Sequence, residues 1–158
     1  MKIIKGPLFI GLIWLLITSC KKEKDPLPVY GIITWSVSNT VFKADSFAVA
    51  QKEEVGFNGR PTVSVYGVSS AKNTLSFTLD SAGGTGVFIA GGSQITFNSI
   101  QIVYSGEDYF ADNNHHSTSV TIIVTERTAK NIKGTLNGQL SSIAGNKIAV
   151  DGSFDMNF

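Results

Sequence analysis

One cysteine, Cys20, stands among 158 residues, so no disulfide can form within the chain and no cysteine-pair zinc site can be built. Histidine is nearly as scarce, and the two present, His115 and His116, are immediate neighbours. No His-Glu-x-x-His pair and no Gly-x-Ser-x-Gly elbow occurs, which removes the usual frames of a zinc hydrolase and a serine hydrolase. Charge of either sign is sparse and balanced, 13 basic residues against 12 acidic. A chain without a basic surplus is not built to bind nucleic acid. No window carries a helical stripe of apolar residues, and no long internal repeat is present.

What is there begins at the N-terminus. Lys2 and Lys5 give a short positive segment, and Leu8 to Ile17 is an apolar run broken only by Gly11. Thr18, Ser19 and Cys20 follow directly. Positive start, apolar stretch of about 7–15 residues and small residues at the cut are the order of a secretory signal peptide. A membrane span needs about 20 apolar residues, roughly twice this run. Ile17 and the two small residues before Cys20 resemble a lipobox. That resemblance implies cleavage after residue 19 and acylation of Cys20, which becomes the first mature residue. A lone thiol in an oxidising compartment would be a liability, and lipidation resolves it. Each buried methylene contributes about 0.8 kcal/mol, so two or three acyl chains anchor the protein stably.

Lys21-Lys22-Glu23-Lys24-Asp25 and Pro26-Leu27-Pro28 cannot build a core. Residues 20–28 therefore read as a lipidated cysteine and a solvated tether. Without residues 1–19 the basic count falls to eleven against twelve acidic, a mature side-chain charge of −1. Residues 29–158 have the length of one domain with a core that needs no disulfide.

The dominant pattern in that domain is period two, which places one residue set on one face of a strand. Ile148, Val150, Gly152, Phe154, Met156 and Phe158 alternate with Lys147, Ala149, Asp151, Ser153, Asp155 and Asn157. Leu75, Phe77 and Leu79 alternate with polar residues, as do Val120, Ile122 and Val124. Residues 132–140 set Ile132, Gly134, Leu136, Gly138 and Leu140 against Lys133, Thr135, Asn137 and Gln139. Asn137-Gly138 is a favoured hairpin turn, but a turn there would mix apolar and polar partners on each face. A continuous strand keeps the faces clean, and the turn then falls at Ala144-Gly145-Asn146. Residues 61–69 leave the inward face open between Val63, Val65 and Gly67 on one side and Tyr66 and Val68 on the other. Ser38-Asn39-Thr40 joins Gly31–Val37 to a strand over Val41–Ala50. About nine short strands with frequent turns predict an all-β fold, an antiparallel β-sandwich.

Thr34-Trp35-Ser36-Val37 with Phe42-Lys43-Ala44-Asp45, Ile132-Lys133-Gly134-Thr135-Leu136, and Val150-Asp151-Gly152-Ser153-Phe154-Asp155 together resemble small Bacteroidota β-sandwich lipoproteins of unknown function. The likeness runs from lipobox to C-terminus through short hairpin motifs. Ser-Asn-Thr stands where a glycine turn is expected, and Leu136 where an aromatic is common. The Cys-Lys-Lys-Glu-Lys-Asp string resembles the export signal of such proteins, with Lys24 interrupting its acidic pair. The resemblance implies lipid anchoring at the outer membrane, with exposure on the cell surface as a further expectation. It supplies no activity and no functional residues.

The function expected is a non-enzymatic binding or envelope-structural module that needs no cofactor. Its partners are the membrane, through the lipid on Cys20, and an envelope protein or a glycan. Two alternatives remain open. A small metal-dependent or hydrolytic enzyme would use the polar 107–116 segment, read as a loop, with Asp112, His115 and His116 as metal ligands or Glu107 and Asp112 as a carboxylate pair. A carbohydrate-binding module would use Trp35, Tyr104 and Tyr109 as stacking faces. Burying Trp35 instead, with Ile33 and Val37, gives that strand a clean apolar side.

Overall fold

The computed structural model describes residues 29–53, 59–80, 84–93, 97–114 and 117–158. The segments expected to be signal peptide and tether lie outside the described residues, as do Cys20, His115 and His116. The rest is all-β and antiparallel: β1 (Gly31–Val37), β2 (Thr40–Lys43), β3 (Phe47–Glu53), β4 (Thr62–Val68), β5 (Thr74–Asp80), β6 (Gly86–Gly91), β7 (Ser99–Tyr104), β8 (Glu107–Ala111), β9 (Ser119–Arg127), β10 (Asn131–Ser141) and β11 (Lys147–Asn157). The strands number eleven rather than about nine, and they form one hydrogen-bonded sheet. Its order is β2-β1-β11-β10-β8-β7-β5-β4-β3, with β9 and then β6 branching from β10.

The two packed layers expected of a sandwich are made by this one sheet curling over its own inner face. Phe77 of β5 meets Phe154 of β11 across the core, ring centroids 4.9 Å apart. Gly67 of β4 backs onto Ile33 of β1 and Ala44. The curl is tied where Val29 bridges Ala48, a parallel contact in an otherwise antiparallel set, and Tyr30 N donates to Ala48 O at 2.9 Å.

Period two decides nearly every face. Ile33, Trp35 and Val37, then Leu75, Phe77 and Leu79, then Val120, Ile122 and Val124 are all buried. On β4, Val63, Val65 and Gly67 point inward, and Tyr66 faces out beside the Phe47 ring. β10 runs unbroken through Asn137-Gly138, and the chain reverses at 142–146, where Ser142 N donates to Asn146 O. Ser38 and Asn39 both take positive φ, the mirror-image turn that suits the twist of a hairpin. Asn tolerates that conformation, which is how the turn closes without glycine.

Two expectations need correction. Val41–Ala50 is not one strand. The chain leaves β1 after Lys43, where Ala44 N donates to Ile33 O, and Asp45 Oδ1 then accepts from Ser70 N at 2.6 Å. β3 thus joins β4 instead of extending the first hairpin. The segment read as a 107–116 loop is a strand over its first half. Ser105 and Gly106, both at positive φ, make a tight turn, and β8 pairs with β7 from Tyr104↔Glu107 to Ile100↔Ala111.

Candidate functional site

Among the described residues, two buried polar side-chain atoms stand out as misfits. Trp35 Nε1 and Ser142 Oγ are buried without a hydrogen-bond partner. Trp35 is 1% exposed and lies on the Phe42 ring, which in turn meets Tyr104 edge-on at 5.8 Å. Its indole therefore has no face open to a sugar. Tyr109 is also buried, and its hydroxyl donates to Glu107 Oε2 at 2.8 Å.

Glu107 gathers partners from distant parts of the chain. Asn146 Nδ2, in the β10–β11 turn, donates to its Oε1 at 3.1 Å. The Ser142 hydroxyl, then Tyr109, then Asn146 hold this carboxyl below its usual range. Ser142 faces the carboxylate without a well-formed hydrogen bond, so the Tyr109 and Asn146 contacts are the firmer cause. The bond to Glu107 in turn raises the Tyr109 hydroxyl above its ordinary value. The arrangement ties the β7–β8 turn to the β10–β11 turn.

A pH test follows from its sign. The partners exist only in the folded state, so the folded carboxyl titrates lower than the unfolded one. Their stabilisation is complete above the ordinary carboxylate range and disappears as pH falls through the lowered folded value. Glu107→Gln is expected to differ from wild type in urea midpoint near neutral pH, and the difference should shrink towards about pH 3. Water reaches this carboxylate, so the effect is small.

Asp112 does not join Glu107. Glu107 opens β8 and Asp112 follows its last residue, about 16 Å away at the usual rise per residue. Asp112 Oδ1 instead accepts from Asn114 N at 2.8 Å, closing a local turn. The carboxylate pair of a glycosidase is therefore not assembled there. Among the described residues, no three His, Cys, Asp or Glu side chains gather around a common point.

The outer face of β1, β11 and β10 is where polar groups do converge. Register sets Ser36↔Asp151, Thr34↔Ser153 and Ile32↔Asp155 across β1 and β11, and Asn137↔Asp151, Thr135↔Ser153 and Lys133↔Asp155 across β11 and β10. The Thr34 and Ser153 hydroxyls hydrogen-bond at 2.9 Å, and Asn137 Nδ2 donates to Asp151 Oδ1. Asn131 Nδ2 donates to Asp155 Oδ1 at 2.8 Å, and Lys133 Nζ lies 3.3 Å from Oδ2. Asn131 first and Lys133 second hold Asp155 below its usual range. A shallow groove of about 330 Å³ runs over this face, lined by Thr34, Trp35, Ser36, Val41, Asp151, Gly152 and Ser153.

Known protein families, curated proteins and solved structures offer no match to this chain.

The sequence already put Asn137, Asp151, Ser153 and Asp155 on the polar side of their strands. Their pairing needed the register, which alternation alone does not give. Glu107 and Asn146 are 39 residues apart, and no local pattern marks them as partners.

Proposed function

We propose that this chain is a lipoprotein held at the outer membrane by acyl chains on Cys20, with its β domain acting as a non-enzymatic binding or envelope-structural module. The observation that carries the reading is the order of Lys2 and Lys5, the Leu8–Ile17 apolar run and the Ser19-Cys20 junction. The hairpins resemble those of small Bacteroidota lipoproteins, and the charged string after Cys20 favours the cell surface. The hydroxyl, amide and carboxylate ladder over β1, β11 and β10 is the surface offered to a partner. Trp35 lines that groove but is only 1% exposed, so its indole offers no open stacking face there. An envelope protein therefore fits it better than a glycan.

Cys20→Ala tests the anchor. The variant should lose all labelling by a clickable palmitate analogue and should accumulate as the uncleaved precursor on a gel. Labelling equal to wild type would remove the lipoprotein reading.

A further inference from the structure

The end of the sheet nearest the tether has a composition of its own. Val29, Tyr30 and Ile32 are 47%, 51% and 56% exposed, and Phe158 is 37% exposed. Hydrogen bonds hold this group together: Asn157 N donates to Tyr30 O at 2.8 Å, and Phe158 N to Lys130 O at 3.0 Å. Lys52 closes it from β3, its Nζ donating to the Thr128 and Ala129 carbonyls at 3.1 and 2.8 Å and lying 4.0 Å from the centre of the Phe158 ring. Lys130 is exposed in the same β9–β10 turn, and Glu53 follows Lys52 on its strand.

Exposed aromatic and aliphatic side chains interleaved with lysines suit the boundary between lipid headgroups and acyl chains. Connectivity adds a second constraint. Nine residues lead from Cys20 to Val29, and even a fully extended chain of that length reaches only about 30 Å. β10, with 11 residues, is about 36 Å long at the usual rise. A domain tied so closely cannot stand far from the bilayer, and the end that bears the tether is the end brought to it.

Resting on the lipoprotein reading, we propose that Val29, Tyr30, Ile32 and Phe158, flanked by Lys52 and Lys130, lie against an anionic phospholipid surface and hold the domain with its Ala144-Gly145 turn pointing away. The apolar side chains enter the headgroup layer and the lysines meet phosphates. The polar ladder on β1, β11 and β10 then stands beside the membrane, open to a partner from the aqueous side.

The test uses the full chain, purified with its lipid from membranes and reconstituted in phosphatidylethanolamine–phosphatidylglycerol vesicles whose acyl chains are brominated. Tyr30→Trp places a reporter in the patch. Ile143→Trp places one at the far end of the β10–β11 hairpin, where the native side chain is 88% exposed. Trp35 is buried and gives a constant background. The Tyr30→Trp reporter is expected to lose most of its emission to bromine, and the Ile143→Trp reporter almost none. Lys130→Glu added to Tyr30→Trp should restore much of that emission, and more so as phosphatidylglycerol is raised. Palmitate labelling is read on the same samples. Labelled protein with equal or reversed quenching of the two reporters overturns the orientation alone, while unlabelled protein overturns both the orientation and the anchor.

Discussion

Phe154→Ala should lower the unfolding free energy by about 3–5 kcal/mol, a large share of what a domain of this size possesses. Phe154 is 2% exposed, and its ring fills the space between the two layers of the curled sheet. It meets Phe77 from β5, and its strand neighbours in register are Ile33 and Gly134. A methyl group in its place leaves a void bounded by three strands that are hydrogen-bonded to one another and cannot close in. Ser153→Ala provides the contrast one residue away. Its hydroxyl bond to Thr34 is exposed to water, so its loss should change stability by no more than about 0.5 kcal/mol. Denaturant midpoints of the purified protein decide the comparison. Equal damage from the two substitutions would mean that β11 does not bury one face.

Gly134→Ala should cost about 3 kcal/mol, at the upper end of overpacking effects. A β-carbon at Gly134 would lie 2.6 Å from Phe154 Cζ and would collide with the Ile123 carbonyl oxygen. The carbonyl is there because the β9–β10 register slips between Lys133 and Gly134, leaving Thr125 as the extra residue of a bulge. One of the two obstacles is a removable ring and the other is fixed backbone. In the Phe154→Ala background, Gly134→Ala should therefore cost less than in wild type, while still costing something. Full additivity in the double-mutant cycle would show that the ring and the glycine do not share that space.

The glycines on the inward face explain a feature of the sequence that periodicity left bare. Gly134 and Gly152 look like weak points in otherwise apolar rows. In the sheet, Gly152 stands directly between Trp35 and Leu136, and Gly134 beside Phe154, so each omitted side chain makes room for a large one on the next strand. The same alternation made β1, β5, β9, β10 and β11 readable, because each has one wet and one dry face. β6 was not readable for the opposite reason. Val87 and Ile89 face outward and are 64% and 38% exposed, so the strand is apolar on both sides. β8 was hidden by Glu107, Asp108 and the turn-forming residues after Ala111, which read as loop. The break between β2 and β3 leaves no mark in the pattern, since Phe42, Ala44 and Ala48 all pack inward on either side of it. Trp35 was placed correctly in the core by its neighbours Ile33 and Val37, whereas the contacts of Glu107 depend on two turns that only the finished sheet brings together.

The seven residue pairs that join β1 to β11 set a condition on timing. Residues 31–37 find their long partner only in residues 150–156, more than a hundred residues later. Topologies with such distant pairings fold slowly, because the cost of closing a loop that long must be met before the contacts reward it. Until β11 arrives, β1 holds only the four-residue β2 and presents an open edge. The sheet therefore cannot be completed progressively as the chain emerges. Everything from β1 to β11 must be released before the sheet can close, and until then its unpaired edge is what a folding chaperone or a protease would meet.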